Sequence, residues 1–286
     1  MFGAAMLGTQ LLWLVQTQAD IFIGGRVLAP HELGLYAEAL FLTQIFVSRF
    51  IPPLNDVAFP AYARMQSDLA GIRWSFCRAL RLLMLVACPI YFGMAATSES
   101  LVVTLFGEKW REMAPFVTLL ALAMPLMTIQ VMFPPVCNAL GRPGLNTVVS
   151  AIGAIMMPTA FLIGIRFGAI GLAWAWLLVY PFFTLATIYI AGKPLGLHAR
   201  DLIRPVAPGI LCSAAMAGCV LIANAALPNG LAEPIRFAIL VAAGGVSFVL
   251  LLLLFAKSSV DELLRLVVKR EASPQPAPHR GSNQAP

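Results

Sequence analysis

An arginine inside an apolar helix is the residue with the most distinctive chemistry in this sequence. Arg49 lies in the stretch LFLTQIFVSRFI, which is followed by Pro52 and Pro53. A guanidinium in lipid costs about 2.5–3.5 kcal/mol on insertion scales, so such a residue normally faces a protein interior or a wet cavity. We interpret the helix as one wall of a water-filled, cationic substrate path in which Arg49 attracts an anionic group. The alternative is that Arg49 pairs with Asp56 near the inner face and only orients the helix.

Two helical stripes of polar side chains accompany this arginine. The first stripe consists of Thr9, Trp13, Gln16 and Asp20. In the second, Glu38 and Arg49 are eleven positions apart, which places them within about 20° on a helical wheel. We expect both stripes to face a shared polar interior, where Gln16 and Gln44 lie at similar depth. Asp20 or Glu38 would then carry a coupling proton or sodium ion, although Glu38 is close enough to the outer interface to be simply solvated.

The sequence offers little that resembles an enzyme active site. It contains three histidines, His31 and His198 in loops and His279 in the tail, and five cysteines without metal-ligand spacing. We find no catalytic set of Ser, His and Asp and no glycine loop of the kind that holds phosphate. We therefore expect a protein that is not an enzyme, with no metal site and no cofactor.

The composition is that of a membrane protein. Hydrophobic residues make up 60% of the chain and charged residues 11%, whereas soluble domains have about 45–50% and about 25%. Apolar runs of about 20 residues recur, which is the length that crosses a hydrocarbon layer. We predict an all-α, polytopic membrane protein with about eight transmembrane helices, near residues 3–24, 35–56, 76–97, 114–136, 145–165, 169–191, 205–227 and 235–256.

The loop charges predict the orientation of these spans. With the N-terminus and the C-terminus in the cytoplasm, most of the 19 Lys and Arg residues lie on the inner side, as the positive-inside rule requires. The formal charge of +6 is then explained by topology, and we expect no nucleic-acid partner. Arg78 and Arg81 lie at the inner mouth, where topology alone also explains them.

The C-terminal segment 257–286 has a different character. Ser259 and Glu262 form a capping-box pattern at the start of an amphipathic helix, and its basic residues suit the anionic inner leaflet of the membrane. The proline-rich and polar residues after Ala272 are expected to be disordered on the cytoplasmic side.

Four stretches of the chain together resemble a known family. They are ADIFIGGRVLAPHELGLYAEA at 19–39, VAFPAYARMQSD at 57–68, LFGEKWREMAPFVTLLAL at 105–122 and NALGRPGLN at 138–146. In order and spacing, they resemble the lipopolysaccharide and exopolysaccharide flippases of the multidrug/oligosaccharidyl-lipid/polysaccharide exporter superfamily. The resemblance covers about residues 1–256.

The resemblance implies an architecture of two six-helix lobes, with two further helices in some members. Residues 1–191 correspond to the second lobe, and residues 192–256 to the two additional helices. The first lobe has no counterpart here, so the chain is expected to be a fragment, a product of a late start codon or a half that needs a partner. Because alternating access needs two repeats that rock about a central site, we expect residues 1–286 alone not to transport.

The implied function is the movement of an undecaprenyl-diphosphate-linked oligosaccharide from the inner to the outer leaflet of the bacterial inner membrane. Arg49 would attract the diphosphate or acidic sugars, with Gln16 and Gln44 in the same path, and Arg78 and Arg81 would recruit the substrate first. Polysaccharide polymerase and glycosyltransferases are the expected partners, besides membrane lipids. The alternatives are a cation-coupled multidrug exporter of the same superfamily and a non-transporting half-protein that scaffolds polysaccharide assembly.

Overall fold

Ten α-helices make up nearly all of the part of the chain that the structure describes. The computed structural model describes residues 2–228 and 230–255. The helices are α1 (Phe2–Val27), α2 (Pro30–Arg64), α3 (Leu69–Ala96), α4 (Ser98–Phe106), α5 (Ala114–Gln130), α6 (Phe133–Ala139), α7 (Gly144–Gly164), α8 (Gly168–Gly192), α9 (Ala199–Ala226) and α10 (Glu233–Phe255). Three short 3₁₀ segments, Glu108–Met113, Ile165–Phe167 and Lys193–Leu195, complete the helical structure of these residues.

Eight of these helices are long, and each coincides with one of the eight predicted spans. Six segments of the described chain are long and apolar enough to cross a membrane, and one of them, Gly144–Leu195, contains both α7 and α8. Helix α1 has the length to cross but carries Asp20 and three glutamines, and it is not among the six. The prediction of an all-α, polytopic membrane protein is confirmed.

Helix α2 is longer than the sequence predicts. We expected a helix that starts near Leu35 and runs into Pro52 and Pro53, but α2 begins at Pro30 and continues through both prolines to Arg64. Proline is well placed at the first helical position, where its missing N–H has no intrahelical partner to lose. Inside a membrane helix, the carbonyls that a proline leaves unpaired can be satisfied by neighbouring groups or water, so the helix persists across the pair.

The predicted span 114–136 is interrupted instead. Helix α5 ends at Gln130, and α6 begins at Phe133 with prolines in its first turn. Because prolines 134 and 135 have no N–H to donate to the preceding turn, the chain restarts a helix rather than continuing one. The carbonyl of Val131 at the break accepts a hydrogen bond from Asn55 Nδ2 at 3.2 Å.

The long helices pack as a bundle with an additional pair at one side. Helix α7 packs against both α1 and α8, and α5 contacts α2, α3 and α8. The α7–α8 contact is close because Gly164 and Gly171 bring the two backbones together. Helix α9 packs on α3, where Gly209 lies against the backbone of Met84, and α10 packs on α9. The division at residue 191 between a six-helix lobe and two further helices stays a prediction.

The predicted cytoplasmic segment lies outside the described residues. This applies to the amphipathic helix that begins at Ser259 and to the proline-rich tail, both within 257–286.

Candidate transport cavity

An open cavity of about 660 Å³ lies between α1, α2, α6, α7 and α8, beside the end of α5. Many of its lining residues carry a carboxamide: Gln10, Gln18, Gln44, Asn55, Gln130, Asn138 and Asn146. Hydroxyl groups come from Thr9, Thr17, Ser48, Thr147, Ser150 and Thr187. Among the described residues that line this space, none carries a formal charge. We call it the amide cavity; it is neutral, whereas the sequence predicts a cationic path.

Arg49 lies outside the amide cavity, on the exposed face of α2. Because α2 keeps its helical phase through the prolines, Arg49 and Asp56 share one face, while Gln44 and Asn55 lie about 120–140° around the helix and line the cavity. Within the described residues, Arg49 and Asp56 form no ion pair. Glu38 is half-buried and also lies outside the cavity lining. The roles of Arg49 and Glu38 stay predictions that this cavity does not support.

The two glutamines that were expected to face each other are separated. Gln44 lines the cavity, whereas Gln16 is fully buried and is not part of the lining. Gln16 packs instead against Gly153 of α7 and Phe183 of α8. Among the described residues, Nε2 of Gln44 has no hydrogen-bond partner. The expected stripe therefore divides: Thr9 and Trp13 face the cavity, while Gln16 and Asp20 face the interior of the bundle.

The two arginines predicted at the inner mouth are on α3, which contributes no described residue to the cavity lining. Arg78 lies over the ring of Trp74, with the guanidinium carbon 4.9 Å from the ring centre. Arg81 is half-buried. Their predicted part in recruiting a substrate therefore concerns a surface outside the amide cavity.

Asp20 is the centre of a buried polar cluster. Its Oδ2 accepts hydrogen bonds from the hydroxyl of Tyr36 at 2.7 Å and from Nε1 of Trp176 at 3.0 Å, and its Oδ1 accepts from the backbone N–H of Ile21 at 2.8 Å. Trp176 Nε1 also lies 3.0 Å from the hydroxyl of Tyr36. Asp20, Tyr36 and Trp176 are each fully buried. The cluster joins α1, α2 and α8, and no basic side chain takes part in these hydrogen bonds.

Several cavity residues were not identified from the sequence. Asn138 and Asn146 belong to the stretch NALGRPGLN, where Asn146 Nδ2 donates to Asn138 Oδ1 at 2.9 Å. Thr147 on α7 was also not identified; its hydroxyl shares a hydrogen bond of 2.7 Å with that of Thr9, which belongs to the predicted stripe on α1. Gln130 is buried at the end of α5 and accepts a hydrogen bond from Tyr180. Asn146 Nδ2 also donates to the carbonyl oxygen of Pro134 at 3.4 Å, so its amide joins α7 to α6. The pair of asparagines at the two ends of the turn was the signal available in the sequence.

Comparisons with known proteins agree with this fold. A family model described as a polysaccharide biosynthesis protein matches residues 1–115. The teichuronic acid biosynthesis protein TuaB of Bacillus subtilis is 24% identical over 92% of this chain and 55% of its own length. The lipopolysaccharide biosynthesis protein WzxC of Escherichia coli is 25% identical over 68% of this chain and 40% of its own length. The chain thus spans about half the length of the curated relatives it matches.

A solved structure shares the fold. The lipid II flippase MurJ in an inward closed conformation superposes with a TM-score of 0.70 at 14% sequence identity, over 90% of this chain and 53% of that protein. The sequence matches and the shared fold agree with the predicted resemblance: the chain is similar in sequence to polysaccharide biosynthesis proteins and in fold to MurJ.

Proposed function

We propose that the helical bundle forms a substrate-binding lobe of a transporter that moves a lipid-linked oligosaccharide across the bacterial inner membrane. The observation that carries this proposal is the amide cavity, a space of about 660 Å³ whose described lining carries no charge and combines apolar side chains with seven carboxamides and six hydroxyls. Polar groups inside a membrane bundle are expensive and mark substrate pathways. The names of the relatives, which concern teichuronic acid and lipopolysaccharide biosynthesis, support a saccharide cargo, and the family resemblance implies that its carrier is undecaprenyl diphosphate.

The transport step needs no covalent chemistry. The work is done by differential binding of the cargo to two conformations, so we propose a transporter and not an enzyme. The sugar passes through the amide cavity while the lipid tail remains in the bilayer. In this proposal the N-terminus and the C-terminus are cytoplasmic, and the polymerase and glycosyltransferases of the same polysaccharide are neighbours in the membrane.

We further propose that Asp20 carries the coupling proton. A buried carboxylate without a positive partner is costly, and the acceptor atoms of Asp20 are surrounded by the neutral donors Tyr36 and Trp176. Protonation of Asp20 removes the free-energy cost of the buried charge. A movement of α8 relative to α1 would change the hydrogen bonds around Asp20 and therefore that cost. Asp20→Asn imitates the protonated form, so we expect it to fold normally but to slow transport at least tenfold, with loss of the response to a proton gradient. Transport by Asp20→Asn at the normal rate and with the normal gradient response would remove Asp20 from coupling.

The multidrug alternative is weakened by the same cavity. A site for cationic drugs requires carboxylates or several aromatic rings in the membrane, and the described lining contains no carboxylate. The scaffold alternative predicts that the cavity side chains have no effect on polysaccharide output.

Deletion of the gene in its native host is the test of the proposal. We expect lipid-linked oligosaccharide to accumulate in the inner leaflet and surface polysaccharide to fall, with recovery when the wild-type gene is restored. Trp13→Ala is expected to restore output only in part, while Trp174→Ala, at an exposed position of α8 outside the cavity lining, restores it fully. Unchanged polysaccharide output after deletion contradicts transport of this cargo, and full recovery with Trp13→Ala supports the scaffold alternative.

A further inference from the structure

The lining of the amide cavity contains hydrogen-bonding groups of both kinds but no charge on its described residues. A carboxamide presents two donors and an acceptor, and a hydroxyl presents one donor and two acceptors. A sugar ring presents many hydroxyl groups that both donate and accept. We propose, as a refinement that depends on the proposed function, that the amide cavity binds the uncharged sugar rings of the cargo and excludes its diphosphate.

Unpaired amide atoms on α2 support this assignment. Among the described residues, Gln44 Nε2, a donor, and Asn55 Oδ1, an acceptor, have no hydrogen-bond partner, although both atoms are buried. A buried polar atom without a partner costs about 1–3 kcal/mol, and amides turn easily about their last torsion because its minimum is broad. A sugar hydroxyl in the cavity would provide the missing partner for Gln44 Nε2 after a rotation of that amide. The Asn55 amide is held in place, because its Nδ2 donates to the carbonyl of Val131 at 3.2 Å.

The spacing of these groups suits an extended chain of sugars. Gln44 and Asn55 are eleven positions apart, so they lie on nearly the same face of α2 and about 16 Å apart along its axis. Ser48 lies between them on the cavity side. This row is longer than a single sugar ring, and it therefore favours an oligosaccharide over a monosaccharide.

Trp13 adds a flat apolar surface to the part of the wall that α1 forms. It is half-buried on α1 and borders the cavity. The C–H face of a sugar ring is apolar and packs against an indole, while the hydroxyls at its rim remain available for amides. Trp13 and the row on α2 thus provide the two kinds of contact that a sugar needs.

The described lining offers the diphosphate no arginine or lysine. The N-terminus of α7 borders the cavity at Pro143 and Gly144, but the backbone N–H groups of Leu145 and Asn146 in its first turn already donate to the carbonyls of Arg142 and Pro143. Phosphate groups are bound by arginine, lysine or helix N-termini, and burial of an unpaired charge is strongly unfavourable. With a neutral described lining, the anionic group remains at the membrane surface. The cavity therefore distinguishes cargoes by their sugars, which differ between polysaccharides, and disfavours acidic sugars.

Equilibrium binding to the purified full chain in lipid nanodiscs tests this inference. The probes are undecaprenyl diphosphate alone and the same lipid carrying either a neutral or a uronic-acid-containing trisaccharide. We expect the neutral saccharide lipid to bind at least tenfold more tightly than the bare lipid and more tightly than the acidic form. Gln44→Leu is expected to weaken its binding about five- to tenfold, since one hydrogen bond is lost. Gln66→Leu, an exposed position outside the cavity, is the matched control and should not change binding.

Three results would overturn the inference: bare lipid that binds as tightly as the saccharide lipid, tighter binding of the acidic trisaccharide, or a preference unchanged in Gln44→Leu. Gln44→Glu and Gln44→Lys add a charge-symmetric check. Both should weaken binding of the neutral form, whereas an anionic cargo in the cavity would be favoured by Gln44→Lys alone. Because this assay measures binding and not movement, a sugar preference in a protein whose deletion leaves polysaccharide unchanged would refute the proposed function and retain the inference.

Discussion

Replacement of Asp20 by alanine is expected to destabilise the bundle far more than replacement by asparagine. In the wild-type protein, the Tyr36 hydroxyl donates to Asp20 Oδ2 at 2.7 Å, and Trp176 Nε1 is 3.0 Å from both oxygens. Asp20→Ala removes the acceptor for Tyr36, and an orphaned buried donor costs about 1–3 kcal/mol. Trp176 retains the Tyr36 oxygen as an acceptor, so a second donor is not orphaned. The small void that remains adds a further cost, so we expect the free energy of unfolding to fall by about 2–4 kcal/mol in total.

The two companion variants give an expected order. Tyr36→Phe removes one hydrogen bond but leaves Asp20 with the donors of Trp176 and Ile21. The free energy of unfolding should therefore fall by about 0.6–1.7 kcal/mol, the range for hydrogen bonds in membrane bundles. Asp20→Asn keeps the shape and one acceptor oxygen for Tyr36 and Trp176, and should lose about 1 kcal/mol or less. The order of destabilisation is therefore alanine at 20, then phenylalanine at 36, then asparagine at 20.

Equilibrium unfolding in mixed micelles with increasing fraction of denaturing detergent measures these differences. Tryptophan fluorescence follows the transition, and Cys219→Ser on the exposed surface of α9 serves as a control that should leave the midpoint unchanged. An asparagine variant at position 20 as unstable as the alanine variant would refute the reasoning, because the loss would then come from charge and not from the hydrogen-bond acceptor.

Two further predictions concern glycines at helix contacts. A Cβ at Gly171 would lie 1.9 Å from the carbonyl oxygen of Gly164, and because overpacking costs about 1–3 kcal/mol, Gly171→Ala should lower the thermal midpoint in detergent by several degrees. Gly218→Ala is the control, because a Cβ there would meet open space and should leave the midpoint unchanged. Equal midpoints of the two variants would contradict the close contact of α7 and α8. A Cβ at Gly153 would lie 2.1 Å from Gln16 Oε1, so Gly153→Ala should displace that amide. Because the end of a side chain moves more easily than a backbone, Gly153→Ala should lower the thermal midpoint less than Gly171→Ala. A larger decrease than that of Gly171→Ala would contradict this reasoning.

The number and order of the long helices follow from the sequence because length and apolarity are local properties. Each predicted span coincides with a long helix. The ends of α2 and the break after Gln130 were not predicted, since both depend on how prolines are accommodated by neighbours. Pro52 and Pro53 continue a helix, whereas prolines 134 and 135 begin one, and the sequence around each pair does not distinguish the two outcomes.

The location of the cavity was less predictable than the helices that enclose it. A helical wheel shows which residues share a face but not which face meets a neighbour. Arg49 was the most unusual residue of α2, yet the helix directs Gln44, Ser48 and Asn55 to the cavity and Arg49 away from it. The cavity gathers single amides from several helices, and no helix carries enough of them to form a recognisable motif.

Because the described lining of the cavity is neutral, we expect it to recognise a cargo by its sugars and not by its charge. A cationic wall would bind the diphosphate, which every cargo linked to undecaprenyl diphosphate shares, and would not distinguish one saccharide from another. A wall of amides and hydroxyls with Trp13 can bind a sugar only through directed hydrogen bonds and a flat face, so each ring that lacks a matching hydroxyl leaves a buried amide unpaired at about 1–3 kcal/mol. Two or three such mismatches are enough for discrimination of a hundredfold or more. Selectivity in this lobe is therefore expected to follow the pattern of sugar hydroxyls, with Gln44 and Asn55 as the positions where an altered side chain changes the preferred saccharide.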